Sequence, residues 1–416
     1  MIRRCTNGRI SNERHIVDVC VVGAGLSGAY AAHTLVANGK SVSVLDARDR
    51  VGGRLLTAEE QGGGDLGGAW IWPRSEYVMQ QFLEELHVKT VPMHLDGETM
   101  VRTPDGQRHV LPSGEAARYA ACGGGAVRVC GGAASMVQKL LPGDDNPTLS
   151  ILLGMRVVRI EHDGDVIKIS CTKSESNKDD CETILIECRT AILAAPPKVL
   201  ANTIEFHPPL PKNKIDSMVA TPTWMEDYSK VSVSFPKNWW RRLNISAISI
   251  DQIGAVSTWW EACSGDDDDG VSPTLAGFVT RNGAKDLKKM ESDEALHDYV
   301  IDTLKDLYGV DVAVMGMQKD MADITINGSA DRDGLVVSKG GVTVTYKSWL
   351  EDPYTNNSEL RGSRIDVTCE YGDRYLQQSI GPLFFAGTEA AYGSGHMEGA
   401  VVAAQRAANE VMQYLS

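Results

Sequence analysis

The sequence predicts an α/β fold, with a Rossmann-type unit at the amino end and a second, α+β unit, each assembled from discontinuous stretches of chain. Three observations predict it. A Val-rich apolar run, Ile16–Val22, stops at Gly23 and gives way to helical spacing over Leu26–Asn38. A second run, Ser41–Leu45, stops at Asp46, so strand, helix and strand fit the roughly 30 residues of one βαβ unit. No repeat or long linker divides the 416 residues, so chain crossings rather than a single hinge separate the units.

The elements follow in order. The first strand is short and β-branched, as a buried strand requires. Gly39 stops the first helix. Thr148–Glu187 reads as a meander, with turns at Asp163-Gly164 and over 174–180. Thr190–Ala194 is a further strand, halted by Pro196-Pro197. Lys230–Phe235 alternates cleanly and ends at Pro236. Asp293–Leu307 is helical, and Leu383–Ala386 is a short apolar strand. Met397–Gln413 sets Met397, Ala400, Val401, Ala404, Ala408 and Val411 at helical spacing.

Composition removes several classes. Hydrophobic residues are 43% and charged residues 23%, enough to bury a core and unlike a disordered chain. The net charge of −14 comes with no basic stripe, which argues against a nucleic-acid partner. No apolar run reaches the ~18 residues of a membrane span. Nine cysteines occur without a C-x-x-C, which points to reduced thiols in a cytoplasmic protein. The start carries Arg3, Arg4, Arg9 and Arg14 but no apolar h-region. It is therefore no secretory signal and reads as a frayed basic terminus, with organelle targeting as the alternative. Two acidic runs, Asp266–Asp269 and Asp331-Arg332-Asp333-Gly334, invite a calcium reading. With Gly334 sixth in an EF-hand loop, the twelfth position is Gly340 instead of the required Glu, so no metal is expected.

Two constellations carry chemistry. Gly23-Ala24-Gly25-Leu26-Ser27-Gly28 follows a strand and opens a helix, and Asp46 closes the next strand about 20 residues on. Gly23 permits the turn, Gly25 lets a pyrophosphate approach the helix amides, Gly28 lets helix and strand pack, and Asp46 can accept from ribose hydroxyls. Asp46-Ala47-Arg48-Asp49-Arg50-Val51-Gly52-Gly53-Arg54 then adds a second close backbone approach and an Arg fork near the same phosphates.

With these motifs in place, the chain resembles the flavin-dependent amine oxidases: monoamine, polyamine and L-amino-acid oxidases. Asp65-Leu66-Gly67-Gly68-Ala69-Trp70-Ile71 is similar to the family's segment beside the flavin ring. Arg128-Val129-Cys130-Gly131-Gly132 is similar to its R-x-x-G-G start of a helix, and Val157 or Val158 to its adenine contact. Ile192–Pro197, including Pro196, resembles its strand ending in Ala-Pro-Pro. Phe385-Ala386-Gly387-Thr388-Glu389 and Gly395-His396-Met397-Glu398-Gly399-Ala400 resemble its C-terminal flavin fingerprint. There Glu389 or backbone amides face the ribityl chain, and the last helix aims its N-terminus at the ring. A lysine at a strand start is ordinarily a solvated surface residue. The resemblance instead makes Lys230 the family's active-site lysine, which holds a water near flavin N5. Trp349 and Tyr354, ordinarily aromatic core, match its W-x-x-x-x-Y pattern near the flavin. The implied FAD-binding domain, of the amine-oxidase type, takes residues 1–76, 128–218 and 355–416. The implied substrate domain takes 77–127 and 219–354, with a shortened helical lobe.

The resemblance implies oxidation of an amine by FAD, with hydride transfer to flavin N5, an imine or aldehyde product, and O2 reduced to hydrogen peroxide. The partners are then a small-molecule amine and O2, with a homodimer left open. Ser358 stands where membrane-type relatives carry a flavin-linking cysteine, so the FAD is expected to be noncovalent. Glu359 and His396 replace the two walls of an aromatic cage, with His396, Tyr392 and Trp259-Trp260 as substitutes. The short span 92–127 implies a more open access route. Arg74 is the nearest candidate for a carboxylate clamp and fits poorly, so amines are favoured over amino acids. No membrane anchor follows the last helix. Two alternatives remain: an FAD-dependent desaturase or dehydrogenase acting on a carbon–carbon bond, and a weakly active FAD-binding protein.

Overall fold

The computed structural model describes residues 16–58, 64–115, 124–143, 146–174, 183–263, 272–311, 315–316, 324–329, 334–356, 371–393 and 395–416. In chain order the strands are β1 (Val17–Val22), β2 (Val42–Leu45), β3 (Thr90–Pro92), β4 (Glu98–Arg102), β5 (Arg108–Leu111), β6 (Val127–Val129), β7 (Leu149–Leu152), β8 (Met155–Asp163), β9 (Val166–Lys173) and β10 (Thr183–Leu193). They continue with β11 (Glu205–His207), β12 (Ser229–Ser234), β13 (Ile245–Asp251), β14 (Val256–Cys263), β15 (Thr274–Val279), β16 (Ile324–Ser329), β17 (Gly334–Lys339), β18 (Val342–Ser348) and β19 (Leu383–Phe385). The helices are α1 (Leu26–Ala37), α2 (Tyr77–Glu85), α3 (Ala134–Leu140), α4 (Pro197–Thr203), α5 (Lys212–Ala220), α6 (Trp239–Arg242), α7 (Arg281–Lys288), α8 (Asp293–Tyr308), α9 (Arg374–Gln377) and α10 (Met397–Tyr414).

The first sheet runs β11-β8-β9-β10-β1-β2-β7, with β19 also on β10. β1 is parallel to β2 and β10, and β2 is parallel to β7. The sequence reading ends the meander at Glu187 and starts a new strand at Thr190. β10 instead runs unbroken through Cys188 and Arg189, because neither residue forms turns. Its first half pairs with β9 and its second half with β1 and β19. α1 and α10 pack on this sheet through small residues: Ala29, Ala31 and Ala32 share a core with Ala404, Ala407 and Ala408. α2, which the sequence division places with the second unit, sends Met79, Phe82 and Leu83 into this same core.

The second sheet runs β16-β17-β18-β12-β15-β14-β13-β4-β5. β12 lies inside it, antiparallel to β15 and β18, and all six of its residues are buried. α8 covers one face with Leu296, Val300, Ile301, Leu304 and Leu307. Its start is capped by Ser292, whose hydroxyl accepts from the Ala295 amide, and it ends at Gly309 with φ +67°. Among the described residues, no helix is long and apolar enough to cross a membrane.

Candidate active site

β1 delivers the chain to Gly23, whose φ of +107° turns it sharply into α1. Gly25 is the N-cap of α1 and makes no side-chain cap, so the first amides of the helix lack an internal acceptor. Asp46, at the end of β2, clamps the turn: its two oxygens accept from the amides of Ala24 at 2.7 Å and Arg48 at 2.8 Å. The second glycine segment lies directly on the first. Gly52 donates to the Ala24 carbonyl at 2.9 Å, and Gly53, at φ +57°, faces Gly25.

These glycines open one end of a cavity of about 810 Å³. Leu26, Ser27, Asp46, Ala47, Arg48 and Arg54 line it too, with Val157 and Pro196. Val157, not Val158, reaches the cavity. Two predicted residues stand behind its wall. Gly28 sits in the α1–β1 contact, where a Cβ would fall 1.9 Å from the Gly23 oxygen. Glu389 is fully buried and grips Arg54 through two bonds, 2.6 and 3.0 Å long, while accepting from the Trp224 amide at 3.1 Å. The Arg54 fork is therefore held by a carboxylate. Gly387 and Thr388, rather than Glu389, line the cavity, and the Gly387 amide donates to Ser27 Oγ.

The other end of the cavity is built on the second sheet. Lys230 Nζ, buried on β12, donates to the Gly67 carbonyl at 2.6 Å. It sits 5.0 to 5.9 Å from the ring centres of Phe278, Trp260 and Trp70. Burial pulls its ammonium down to about 8, against the pull of the Asp65 carboxylate. Burial also lifts the Asp65 carboxyl, although Thr57 and the Ala133 amide at the start of α3 both donate to it. Gly67, Gly68 and Ala69 line the space beside Trp70, and Met397 reaches over Gly68. Trp349 is fixed by Nε1 donating to the Leu66 carbonyl at 2.8 Å. Tyr354 lines the cavity elsewhere, with the Arg48 guanidinium 5.2 Å from its ring centre. Asp352 binds Arg48 at 2.6 Å and Lys347 at 2.8 Å, tying this loop to both sheets.

His396 is the N-cap of α10 and stands in the cavity wall between Trp72 and Trp224. Its Nδ1 lies 2.8 Å from Glu76. Of the other proposed cage substitutes, Trp259 is buried in the second core, Trp260 packs beside Trp70, and Tyr392 is 77% exposed. Ser358, Glu359 and the acidic runs 266–269 and 331–333 lie outside the described residues. Glu76, Trp72 and Trp224 are site residues that sequence reasoning missed. Trp72 and Glu76 are bonded to each other four positions apart, but both meet His396 only through the fold, Glu76 across 320 positions.

The donor set fits a dinucleotide that ends in a flavin. Two helices, α1 and α10, open on one cavity with no side chain capping either N-terminus, so both present amides and a positive dipole end to an electron-rich group. Trp70 Nε1 is buried in the same wall without a hydrogen-bond partner among the described residues. Comparison with known proteins agrees. A family model described as flavin-containing amine oxidoreductase matches residues 115–412, and one described as an NAD(P)-binding Rossmann-like domain matches 21–86. Flavin-containing amine oxidase B of Bos taurus is 24% identical over 95% of this chain and 86% of its own length. Putrescine oxidase of Kocuria rosea is 43% identical over 24% of this chain and 22% of its own. The solved cyclohexylamine oxidase from Brevibacterium oxydans, 20% identical, superposes with a TM-score of 0.68 over 96% of this chain and all of its own, a likeness of fold. The glycine turn, the two open helix ends and a family match spanning well over half the sequence lead to one assignment: the chain belongs to the flavin-containing amine oxidoreductases.

Proposed function

We propose that this enzyme oxidises an amine to the imine, and so to the aldehyde, with bound FAD as oxidant and O2 as final acceptor. When bound, FAD supplies two-electron oxidation of the carbon next to nitrogen and returns the electrons to O2 as hydrogen peroxide. Gly23, Gly25 and the first amides of α1 receive the pyrophosphate in this reading, Asp46 the ribose and Val157 the adenine. The backbone of Gly387 and Thr388 meets the ribityl chain, and the start of α10 faces the ring. Lys230 holds a water at the ring edge, and Trp70, Phe278 and Trp349 keep that water in an apolar box. The same apolar walls disfavour an ammonium, so the amine reacts neutral. FAD is held noncovalently, because the position counted for a flavin-linking cysteine is Ser358. The cytoplasmic setting is proposed from the nine cysteines, which include no C-x-x-C.

The observation that carries the reading is continuity: one cavity joins the glycine turn of α1 to Lys230 and the start of α10. The test is the visible spectrum of the purified protein, followed by a panel of amines with peroxide readout. A yellow protein that yields peroxide with a few amines supports the reading. A colourless protein that refuses added FAD, or a flavoprotein silent to every amine, refutes it.

A further inference from the structure

The wall at His396 holds a carboxylate–imidazole pair that the reaction described so far does not use. Glu76, the N-cap of α2, is almost fully buried. One of its oxygens accepts from the Trp72 amide at 2.9 Å and the other lies 2.8 Å from His396 Nδ1. An ionised carboxylate only accepts, so Nδ1 carries the hydrogen, and in the uncharged ring the unshared pair is on Nε2. Nothing among the described residues bonds Nε2. The ring is held in place by Trp72, stacked at 5.0 Å and 22°, and by the edge of Trp224 at 5.6 Å. The side chain is 31% exposed and lines the cavity.

We propose that His396 Nε2 takes the proton from the incoming substrate ammonium, with Glu76 as the positioning residue that stabilises the imidazolium. This rests on the amine-oxidising reading above. A simple alkylammonium holds its proton to about pH 10, as lysine does, whereas an amine must expose its lone pair to be oxidised. The N–H bond of the ammonium breaks, its electron pair stays on nitrogen, and the proton forms a bond to Nε2. The proton passes to water when product leaves. The charged groups facing the ring agree with this direction. Glu76 faces it from α2, and its charge opposes the positive end of α10, which would otherwise disfavour an imidazolium. Glu398, on α10 itself, is turned onto the Val78 and Met79 amides. Arg54 and Glu389, behind Trp224, neutralise one another.

The test uses 2-phenylpropan-2-amine, which has no hydrogen on the carbon bearing nitrogen and so cannot be oxidised. Its binding to the holoenzyme is measured by calorimetry near pH 8 in buffers of different ionisation enthalpy, which counts the protons released. The wild type is expected to release measurably fewer protons per amine bound than the variants, because the imidazole beside Glu76 retains part of the proton in the complex. His396→Tyr keeps an aromatic wall without a basic nitrogen and is expected to release close to one per amine bound. Glu76→Gln is expected to move in the same direction, and it carries the test if His396→Tyr loses its flavin spectrum. Equal proton counts in wild type and variants, or no binding by any of them, overturn the proposal. A flavin that no amine reduces defeats the underlying reading instead, and the proton count distinguishes the two failures.

Discussion

Replacing Gly28 and Gly25 by alanine, one at a time, separates packing from ligand approach within a single motif. A Cβ on Gly28 would lie 1.9 Å from the Gly23 oxygen and 3.1 Å from a Val21 methyl. Real contacts of this kind essentially never fall below 3.0 Å, so α1 must retreat from β1 by about an ångström through a close-packed interior. Ala29, Ala31, Ala32 and Leu35 are all fully buried there. Overpacking typically costs about 1–3 kcal/mol, and an obstacle made of backbone places Gly28→Ala near ~3 kcal/mol. A Cβ on Gly25 meets nothing nearer than the Gly52 oxygen at 3.8 Å, and its φ of −73° and ψ of 178° suit alanine. Alanine is a poorer N-cap than glycine but stiffens the unfolded chain by about 0.4–1 kcal/mol, so the apoprotein stays within about 1 kcal/mol of wild type. Its methyl nevertheless stands on the wall where phosphates would meet the α1 amides, and FAD affinity is expected to fall on the order of tenfold or more, about 1.4 kcal/mol. Urea unfolding of flavin-stripped protein and fluorescence titration with FAD read the two effects. A Gly28→Ala apoprotein as stable as wild type, or a Gly25→Ala protein that binds FAD unchanged, refutes the reasoning.

Lys230→Met is expected to slow flavin reduction or reoxidation on the order of tenfold while leaving FAD bound. Stopped-flow absorbance checks this, and unchanged rates of both steps remove the lysine from the mechanism. The same variant changes the dependence of stability on pH. Burial holds Lys230 near 8 in the fold against an ordinary 10.5, so the unfolded chain binds more protons between those values and stability rises with pH across that window. The cost is fully present below about pH 8, and Lys230→Met should flatten the rise in urea midpoints measured from pH 7 to pH 10.5. Asp352→Asn leaves Arg48 and the fully buried Lys347 without their shared carboxylate. It should cost about 3 kcal/mol in urea unfolding, and a loss under about 1 kcal/mol would show that the tie contributes little.

What the sequence makes legible here is what short range can encode. The spacing of Gly23, Gly25 and Gly28 between a Val-rich run and a helix is itself the geometry of the turn, so strand, helix and the acid at Asp46 could be read directly. The strand at Lys230 could be read only in part. Its alternation of Val231 and Val233 with serines implies one polar face, yet every residue of β12 is buried because the sheet is covered on both sides. The polar residues find partners instead of water: Ser234 bonds Thr274, and Lys230 bonds the Gly67 carbonyl. Sequence reasoning does not mark most of β13 to β18 as strand, although Gly340-Gly341 between β17 and β18 is the punctuation of a tight hairpin. The substrate wall lies furthest from any sequence signal. His396 meets Glu76 across 320 positions, and Arg54 meets Glu389 across 335. Read alone, His396 is a lost aromatic wall, because the carboxylate that fixes its tautomer carries no motif. Read in the fold, the same residue keeps the wall, stacked on Trp72, and, as proposed above, has a basic nitrogen for an incoming ammonium. On that proposal the departure from the expected pattern is where the chemistry would differ from a cage built of two aromatic rings, and a tyrosine at position 396 would restore the wall but not the base.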